Sequence, residues 1–346
     1  MVIGLALLPE PYRIELLHRY IEIAFMKFSA FFMGLCLCVS GSSFAVEKTT
    51  IRVGVQAAGT FEWELKILQD TAQINSTDFE IAVQPVANSE AGKIALQSGA
   101  VDMIISDWIW VSTLRASGTD FTFYPYSTTS GALVVADNSP IHTIADLKGK
   151  RLGIAGGELD KNWLLLQAVG QKEQLSLNES VEKTLGAPPL INEQIKQQRV
   201  DAVLTYWHFA VRLEAQGYRQ IIDGRGLLKK LGIVENVPSI GYVFKQGWAE
   251  RHKTAINNFF TASKQAKNQL CNSDSAWQKI IPLLHTEDVP TQTLMRQRYC
   301  AGGIEQWGDK EQQAAARIYS ILGALSNNRL TGSSENIQPG TFWKID

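Results

Sequence analysis

Leu96-Gln97-Ser98-Gly99-Ala100-Val101-Asp102-Met103-Ile104-Ile105-Ser106-Asp107-Trp108 and Ile195-Lys196-Gln197-Gln198-Arg199-Val200-Asp201-Ala202-Val203-Leu204-Thr205-Tyr206-Trp207 are two versions of one pattern. Each has a Val-Asp step, an apolar strand, and a polar-then-aromatic end. Upstream, Ile51-Arg52-Val53-Gly54-Val55 stands to Lys150-Arg151-Leu152-Gly153-Ile154 in the same relation. The pairs Gly54/Gly153, Asp102/Asp201, Ser106/Thr205 and Trp108/Trp207 share one offset of about 99 positions. A constant offset over separate blocks is the mark of an internal repeat, here two similar lobes.

Working outward, each lobe reads strand, helix, strand, helix. Apolar strands of this kind need cover on both faces, and helical crossovers between them give a mainly parallel sheet. The fold class is therefore α/β, two lobes, each a mainly parallel sheet flanked by helices. Gly131-Ala132-Leu133-Val134-Val135-Ala136 carries the chain out of the first lobe, and Ser239-Ile240-Gly241-Tyr242-Val243-Phe244 returns it. These predict a two-strand hinge near Gly131 and Gly241. Lobe one is then discontinuous, 46–131 and 242–346, around lobe two at 132–241. Helices are expected over 247–270, 273–284, 290–299 and 310–325.

The 346 residues carry a net charge of -1 with a sequence pI near 6.5. That balance offers no electrostatic footprint for nucleic acid. Near the start, Met26-Lys27 precedes an apolar run from Phe28 to Val39, followed by small residues at Ser43 and Ala45. A positive residue, a short apolar core and a small-x-small end predict a secretory signal over 1–45, cut after Ala45, against the alternative of a retained anchor helix. Pro9, Glu10, Pro11, Glu15 and Glu22 suit no signal sequence, so translation is expected to start at Met26. Cys36 and Cys38 leave with the signal. Cys271 and Cys300 remain as a candidate disulfide in an oxidising compartment, or as two unlinked buried thiols.

Ile144-Ala145-Asp146-Leu147-Lys148-Gly149-Lys150-Arg151-Leu152-Gly153-Ile154 resembles the "DLKGKRVG" entry of type II periplasmic substrate-binding proteins. Gln97-Ser98-Gly99-Ala100-Val101-Asp102 is similar to the "L-x-x-G-x-V-D" step of their nitrate, sulfonate, taurine and thiamine-precursor binding branch, and Gln198-Arg199-Val200-Asp201-Ala202 to its second-lobe counterpart. The likeness covers about Thr50 to Phe260. It implies a periplasmic, monomeric protein that closes on a small molecule and presents it to an ABC permease in the inner membrane. A periplasmic sensor or an accessory to an enzyme system shares that fold.

In such sheets ligands meet the carboxyl ends of strands, where helix N-termini offer free N–H groups. The first candidate loop is Gly59, Thr60, Phe61, Glu62 and Trp63, where the alternative is a plain helix cap with buried aromatics. Ser89 and Glu90 follow the second strand and could equally be a cap. Ser106, Asp107 and Trp108 close an apolar strand, with Trp110 competing for the same place. Thr128 and Thr129 lie in a hydroxyl-rich turn beside the hinge. Lobe two supplies Gly156, Gly157 and Asp160, with Tyr206 and Trp207 as the counterparts of Asp107 and Trp108. Glu62, Glu90, Asp107 and Asp160 beside Trp63, Trp108, Tyr206 and Trp207 favour a ligand with an aromatic or cationic part.

No enzyme is expected. The five histidines, His18, His142, His208, His252 and His285, form no metal motif, and neither a G-x-S-x-G elbow nor a P-loop occurs. Thiamine-precursor synthases share the implied fold, but their cysteine-rich motif is missing. No cofactor and no metal are expected.

Overall fold

The computed structural model describes residues 48–56, 59–70 and 78–344. The expected signal segment, its start at Met26 and its cut after Ala45 lie outside them. Ten strands run β1 (Thr49–Gln56), β2 (Phe79–Val86), β3 (Met103–Ser106), β4 (Phe121–Ser127), β5 (Ala132–Val135), β6 (Arg151–Ala155), β7 (Glu182–Gly186), β8 (Ala202–Thr205), β9 (Arg219–Asp223) and β10 (Ile240–Lys245). The helices are α1 (Phe61–Asp70), α2 (Ser89–Ser98), α3 (Trp108–Ala116), α4 (Lys161–Lys172), α5 (Leu177–Ser180), α6 (Pro188–Lys196), α7 (Trp207–Glu214) and α8 (Gly224–Lys230). They continue as α9 (Gln246–Arg251), α10 (Lys253–Asn272), α11 (Asp274–Ile280), α12 (Val289–Ala301) and α13 (Asp309–Leu325). The helix expected over 247–270 breaks at His252, whose φ of -120° and ψ of 32° leave the helical region.

The strands form two five-stranded sheets of matching order, β2-β1-β3-β10-β4 and β7-β6-β8-β5-β9. In each, three strands pair in parallel and one, β10 or β5, runs against its two neighbours. That reversed strand is the one entered from the other lobe, so a chain arriving from across the hinge runs against its neighbours. The two-lobed α/β architecture is the one the repeat implied.

The repeated Val-Asp step has a mechanical explanation. Asp102 accepts from the backbone N–H of Arg52 at 2.9 Å and from its Nη2 at 2.6 Å. Asp201 does the same for Arg151, at 2.8 and 2.6 Å. Each carboxylate grips one residue of the neighbouring parallel strand, the fourth of β1 and the first of β6. The pairs are partly solvated and contribute at most about 1 kcal/mol each, so their service is register. Gly54 and Gly153 sit beside them because a Cβ there would reach 2.9 Å from Ile104 and 3.1 Å from Val203.

The entry motif of lobe two is equally local. Asp146 accepts from the backbone N–H groups of His142 and Thr143 and from the Thr143 hydroxyl, at 3.0, 2.8 and 2.9 Å. Leu147 is fully buried, and Gly149 turns the chain at a φ of 72°.

The crossings are short stretches, Thr128 to Gly131 and 231–239, rather than strands spanning both lobes. Ser239 ties them, its N–H donating to the Ser127 carbonyl at 2.9 Å and its hydroxyl to that of Thr129 at 2.5 Å. One helix departs from the expected division. α13, expected in lobe one, packs on α4 of lobe two, and its Ile318, Tyr319 and Leu322 share one apolar cluster with Leu164 and Leu165 of lobe two and Trp108 of lobe one. The chain then returns to lobe one, where Phe123 donates to the Thr341 carbonyl and accepts from the Trp343 N–H, both at 2.8 Å. The Cys271 and Cys300 sulfurs are bonded, joining the end of α10 to the end of α12. Among the described residues no helix is long and apolar enough to cross a membrane.

Candidate functional site

Between the lobes lies a cleft of about 1250 Å³, ample for a small organic ligand. Strands β1, β3, β6 and β8 end on it, and α1, α2, α3, α4, α6 and α7 begin on it. With α8, which begins on it at Gly224 and Arg225, seven helices therefore open onto one space, at the positive ends of their dipoles. Side chains already occupy some of their free N–H groups. Asn88 accepts from Ala91, Asp107 from Trp110 and Asp160 from Trp163, at 2.9, 3.0 and 3.1 Å. The N-terminus of α7 has no side-chain cap.

The two lobes meet inside the cleft through charge. Lys161 Nζ of lobe two stands 3.1 Å from Asp107 Oδ2 of lobe one. Burial pushes the Asp107 carboxyl up, but Lys161, the Trp110 N–H and Lys93 together hold it below the usual carboxylate range. Burial likewise pushes Lys161 down, and the carboxylates of Asp107 and Asp160 raise it above the ordinary lysine value. The two residues differ in what explains them. Asp107 is needed as a helix cap, whereas a lysine at the first position of α4 faces the unfavourable end of the helix dipole. Lys161 therefore owes its place to the cleft and not to its helix.

Polar atoms without a protein partner mark the same space. Ser106 is 5% exposed and its Oγ has none, nor do His208 Nδ1 and Asn236 Oδ1. Buried polar atoms left unpaired are costly and call for a ligand or water. Burial, with Arg212 nearby, lowers the His208 imidazole to about 4, so it is neutral at pH 7.

Most residues expected at the site line this cleft. Gly59, Thr60 and Phe61, Ser89 and Glu90, Ser106, Asp107 and Trp108, Thr128 and Thr129, Gly156, Gly157 and Asp160, and Tyr206 and Trp207 all do. Glu62 and Trp63 do not. Only the first turn of α1 meets the cleft, and successive residues rotate by about 100°, which carries Trp63 into the lobe-one core against Trp207, Trp277 and Tyr299. Trp108 lines the cleft but is only 3% exposed. Its ring packs on Tyr319 and Phe342, and its Nε1–H donates to the Pro238 carbonyl at 2.9 Å. Trp110, stacked on Phe121 under the Lys93 ammonium, lines the wall beside it.

Lys93, Arg225, Asn236, Arg329 and the α13 residues Ile318 and Leu322 line the cleft without any signal that singled them out. Their sequence surroundings are ordinary helix faces and a loop. Only the path of the chain brings them there.

The family described as "NMT1/THI5 like" matches residues 74–274 of the chain. Among curated proteins, "Putative aliphatic sulfonates-binding protein" of Escherichia coli (strain K12) is 30% identical over 177 residues, half of this chain and 52% of that protein. The chain thus matches about half the length of that curated relative. Among solved structures, the periplasmic aliphatic sulphonate binding protein SsuA from Escherichia coli superposes with a TM-score of 0.68 at 19% identity, covering 86% of this chain and 92% of that one. The alkanesulfonate-binding protein SsuA from Xanthomonas axonopodis pv. citri bound to MOPS gives a TM-score of 0.65 at 18% identity, over 86% and 99% of the two chains. The fold is that of the periplasmic binding proteins.

Proposed function

Since the chain belongs to the NMT1/THI5-like family, we propose that it is a periplasmic solute-binding protein. It captures a small organic molecule in the interlobe cleft by hinge closure and delivers it to an ABC-type importer, as a monomer and without catalysing a reaction. The observation that carries this reading is the cleft itself. Strand ends and helix N-termini of two matching sheets face one another there, and Asp107 meets Lys161 across it. The named relatives are binding proteins, which supports the non-enzymatic reading.

For the ligand we infer an aromatic or apolar body carrying a charged group. Phe61, Trp110, Tyr206 and Trp207 support the body. The residues give less support to a cationic group than the sequence suggested. Glu62 stands off the cleft, Glu90 pairs with Lys93 at 2.8 Å, and Asp107 is taken by Lys161. The uncapped N-terminus of α7 and the exposed Arg225 favour an anionic group, in keeping with the sulfonates in the relatives' names. A thermal-shift screen of the chain from Val46 against alkanesulfonates, aromatic acids, amines and pyrimidines tests both levels. A ligand at 100 times its Kd adds about 2.7 kcal/mol of stability. Shifts with anions alone support the full reading. Shifts with amines alone reverse the sign of the charged group, and no shift with any class sinks the capture role.

A further inference from the structure

Among the described residues, the lysines and arginines that line the cleft are Lys93, Lys161, Arg225 and Arg329. Three of them have carboxylate partners. Lys93 meets Glu90 at 2.8 Å, Lys161 meets Asp107 at 3.1 Å, and Arg329 meets Glu158 at 3.3 Å. The other carboxylates of the lining are engaged as well. Glu235 takes Arg317 at 2.7 Å, and Asp160 shares Lys161 and accepts from the Trp163 N–H at 3.1 Å. Arg225 is exposed, and its side chain has no partner among the described residues.

The backbone under Arg225 is fixed by a glycine on either side. Gly224 donates its N–H to the Gly131 carbonyl of the first crossing at 2.9 Å, and a Cβ on it would overlap Ser130 Oγ and lie 2.7 Å from Asn162 Oδ1. Gly226 donates to Asp223 Oδ1 at 2.7 Å, and a Cβ there would lie 2.7 Å from Ile222 Cγ1. So close an approach needs glycine. Arg225 therefore rises from a stiff mount beside the first crossing, next to the first turn of α4. Its place also works against its own helix, since a cation in the first turn of α8 faces the unfavourable end of the dipole. Neither an ion pair nor helix stability accounts for this arginine.

We propose that Arg225 is a specificity-determining residue that holds the ligand's anionic group, and that this group carries a single negative charge. The proposal rests on the capture reading and narrows its ligand class. A guanidinium presents a planar fork of donors that matches two oxygens of a sulfonate or a carboxylate. One free guanidinium answers one negative charge. A second charge would face Glu90, Asp107 and Asp160 with no cation to spare. Between two lobes that repulsion is screened less than in open water, so the same carboxylates that pair the other cations discriminate against dianions.

The test is calorimetric titration of the chain from Val46 at pH 8. The probes are benzenesulfonate and hexanesulfonate, benzoate as the carboxylate counterpart, and phenyl and hexyl phosphate. A phosphate ester loses its second proton with a pKa of about 6, so at pH 8 each ester differs from its sulfonate mainly by one extra charge. The wild type should bind a sulfonate or benzoate, and the matching ester at least about tenfold more weakly. Arg225→Met should weaken the monoanion roughly 10- to 100-fold, and Arg225→Lys should restore part of that loss. Because the side chain is exposed, both variants should keep the wild-type Tm, which a merely structural role would move. An unchanged monoanion Kd in Arg225→Met overturns the role of the arginine, and an ester bound as tightly as its sulfonate overturns the single charge. A wild type that takes none of the monoanions overturns the proposal as a whole. Thermal shifts with amines or pyrimidines would then leave the capture reading standing, whereas no shift with any class would remove both.

Discussion

Glu64 is the most consequential buried charge outside the cleft, and replacing it by alanine tests how lobe one holds the hinge. The side chain is 1% exposed. It accepts from the hydroxyls of Tyr299 at 2.5 Å, Ser263 at 2.7 Å and Tyr242 at 3.3 Å, and lies 3.6 Å from Lys267 Nζ. Lys267 in turn donates to the Tyr126 carbonyl at 2.7 Å, at the root of the first crossing. Burial pushes its ammonium below the ordinary lysine value, with Glu64 opposing that shift. Removing one partner of a buried pair leaves an uncompensated charge and costs about 3–5 kcal/mol. We therefore expect Glu64→Ala to lose about 4 kcal/mol, and at about 2 °C per kcal/mol in a chain of this size, about 8 °C in Tm. Urea and thermal unfolding read both. In a double-mutant cycle Lys267→Met should recover part of the loss, with a coupling of about 1–3 kcal/mol. A Glu64→Ala variant within about 1 kcal/mol of wild type, or strict additivity with Lys267→Met, would refute the view that this carboxylate and lysine act as a unit.

Three further outcomes are expected. The folded protein holds His208 at about 4, below the unfolded value of about 6.5. The unfolded chain then binds the extra proton between those values, and stability present above pH 6.5 should fall as the pH drops toward 4. The loss is as much as about 3 kcal/mol, and a His208→Gln variant with the same acid profile in urea unfolding would contradict it. Gly302→Ala should destabilise the hinge root, because a Cβ there would lie 2.3 Å from Thr129 Cγ2 and 2.9 Å from Ser127 Oγ, an overlap worth about 1–3 kcal/mol; an unchanged Tm counts against it. Trp108→Ala should cost mainly stability, about 3–5 kcal/mol, whereas Trp207→Ala should weaken binding of whichever ligand the thermal screen identifies. Equal effects of the two on affinity, by calorimetry, would contradict the separation of their roles.

The features legible in the sequence are those whose causes are local. A glycine where a strand meets a bulky neighbour and an aspartate that grips an adjacent strand recur because each sheet needs them in the same place. The repeat therefore reported the sheets faithfully, down to the matched Arg52–Asp102 and Arg151–Asp201 pairs. The loops at strand ends followed from the sheets, which is why most expected cleft residues line the cleft. Trp63 was beyond that logic, because its direction depends on the rotation of α1. The apolar positions Ala314, Ala315, Ile318, Tyr319 and Leu322 of α13 announce a buried face, but not which lobe buries it.

The same reasoning explains how Trp108 and Trp207, matched in the repeat, come to do different work. Each follows a strand of its own sheet and opens the next helix, so sequence assigns them one role. The chain beyond residue 301 breaks the symmetry. It lays Tyr319 of α13 and Phe342 of the C-terminal segment against Trp108, on one side of the molecule only. Trp108 becomes a buried strut whose Nε1–H holds Pro238 in the second crossing. Trp207 lacks that cover, lines the cleft, and meets Trp63 of the other lobe in a T-shaped contact. A duplicated architecture thus acquires two different seams between its lobes, one where α13 bridges them and one where α7 meets α12. At α13 the lobes meet through Ile318, Tyr319 and Leu322 packed with Leu164, Leu165 and Trp108, whereas at α7 they meet through the buried Val211 and through Trp207, together with the contacts of Arg212 to the Leu284 carbonyl and of Arg298 to Glu214.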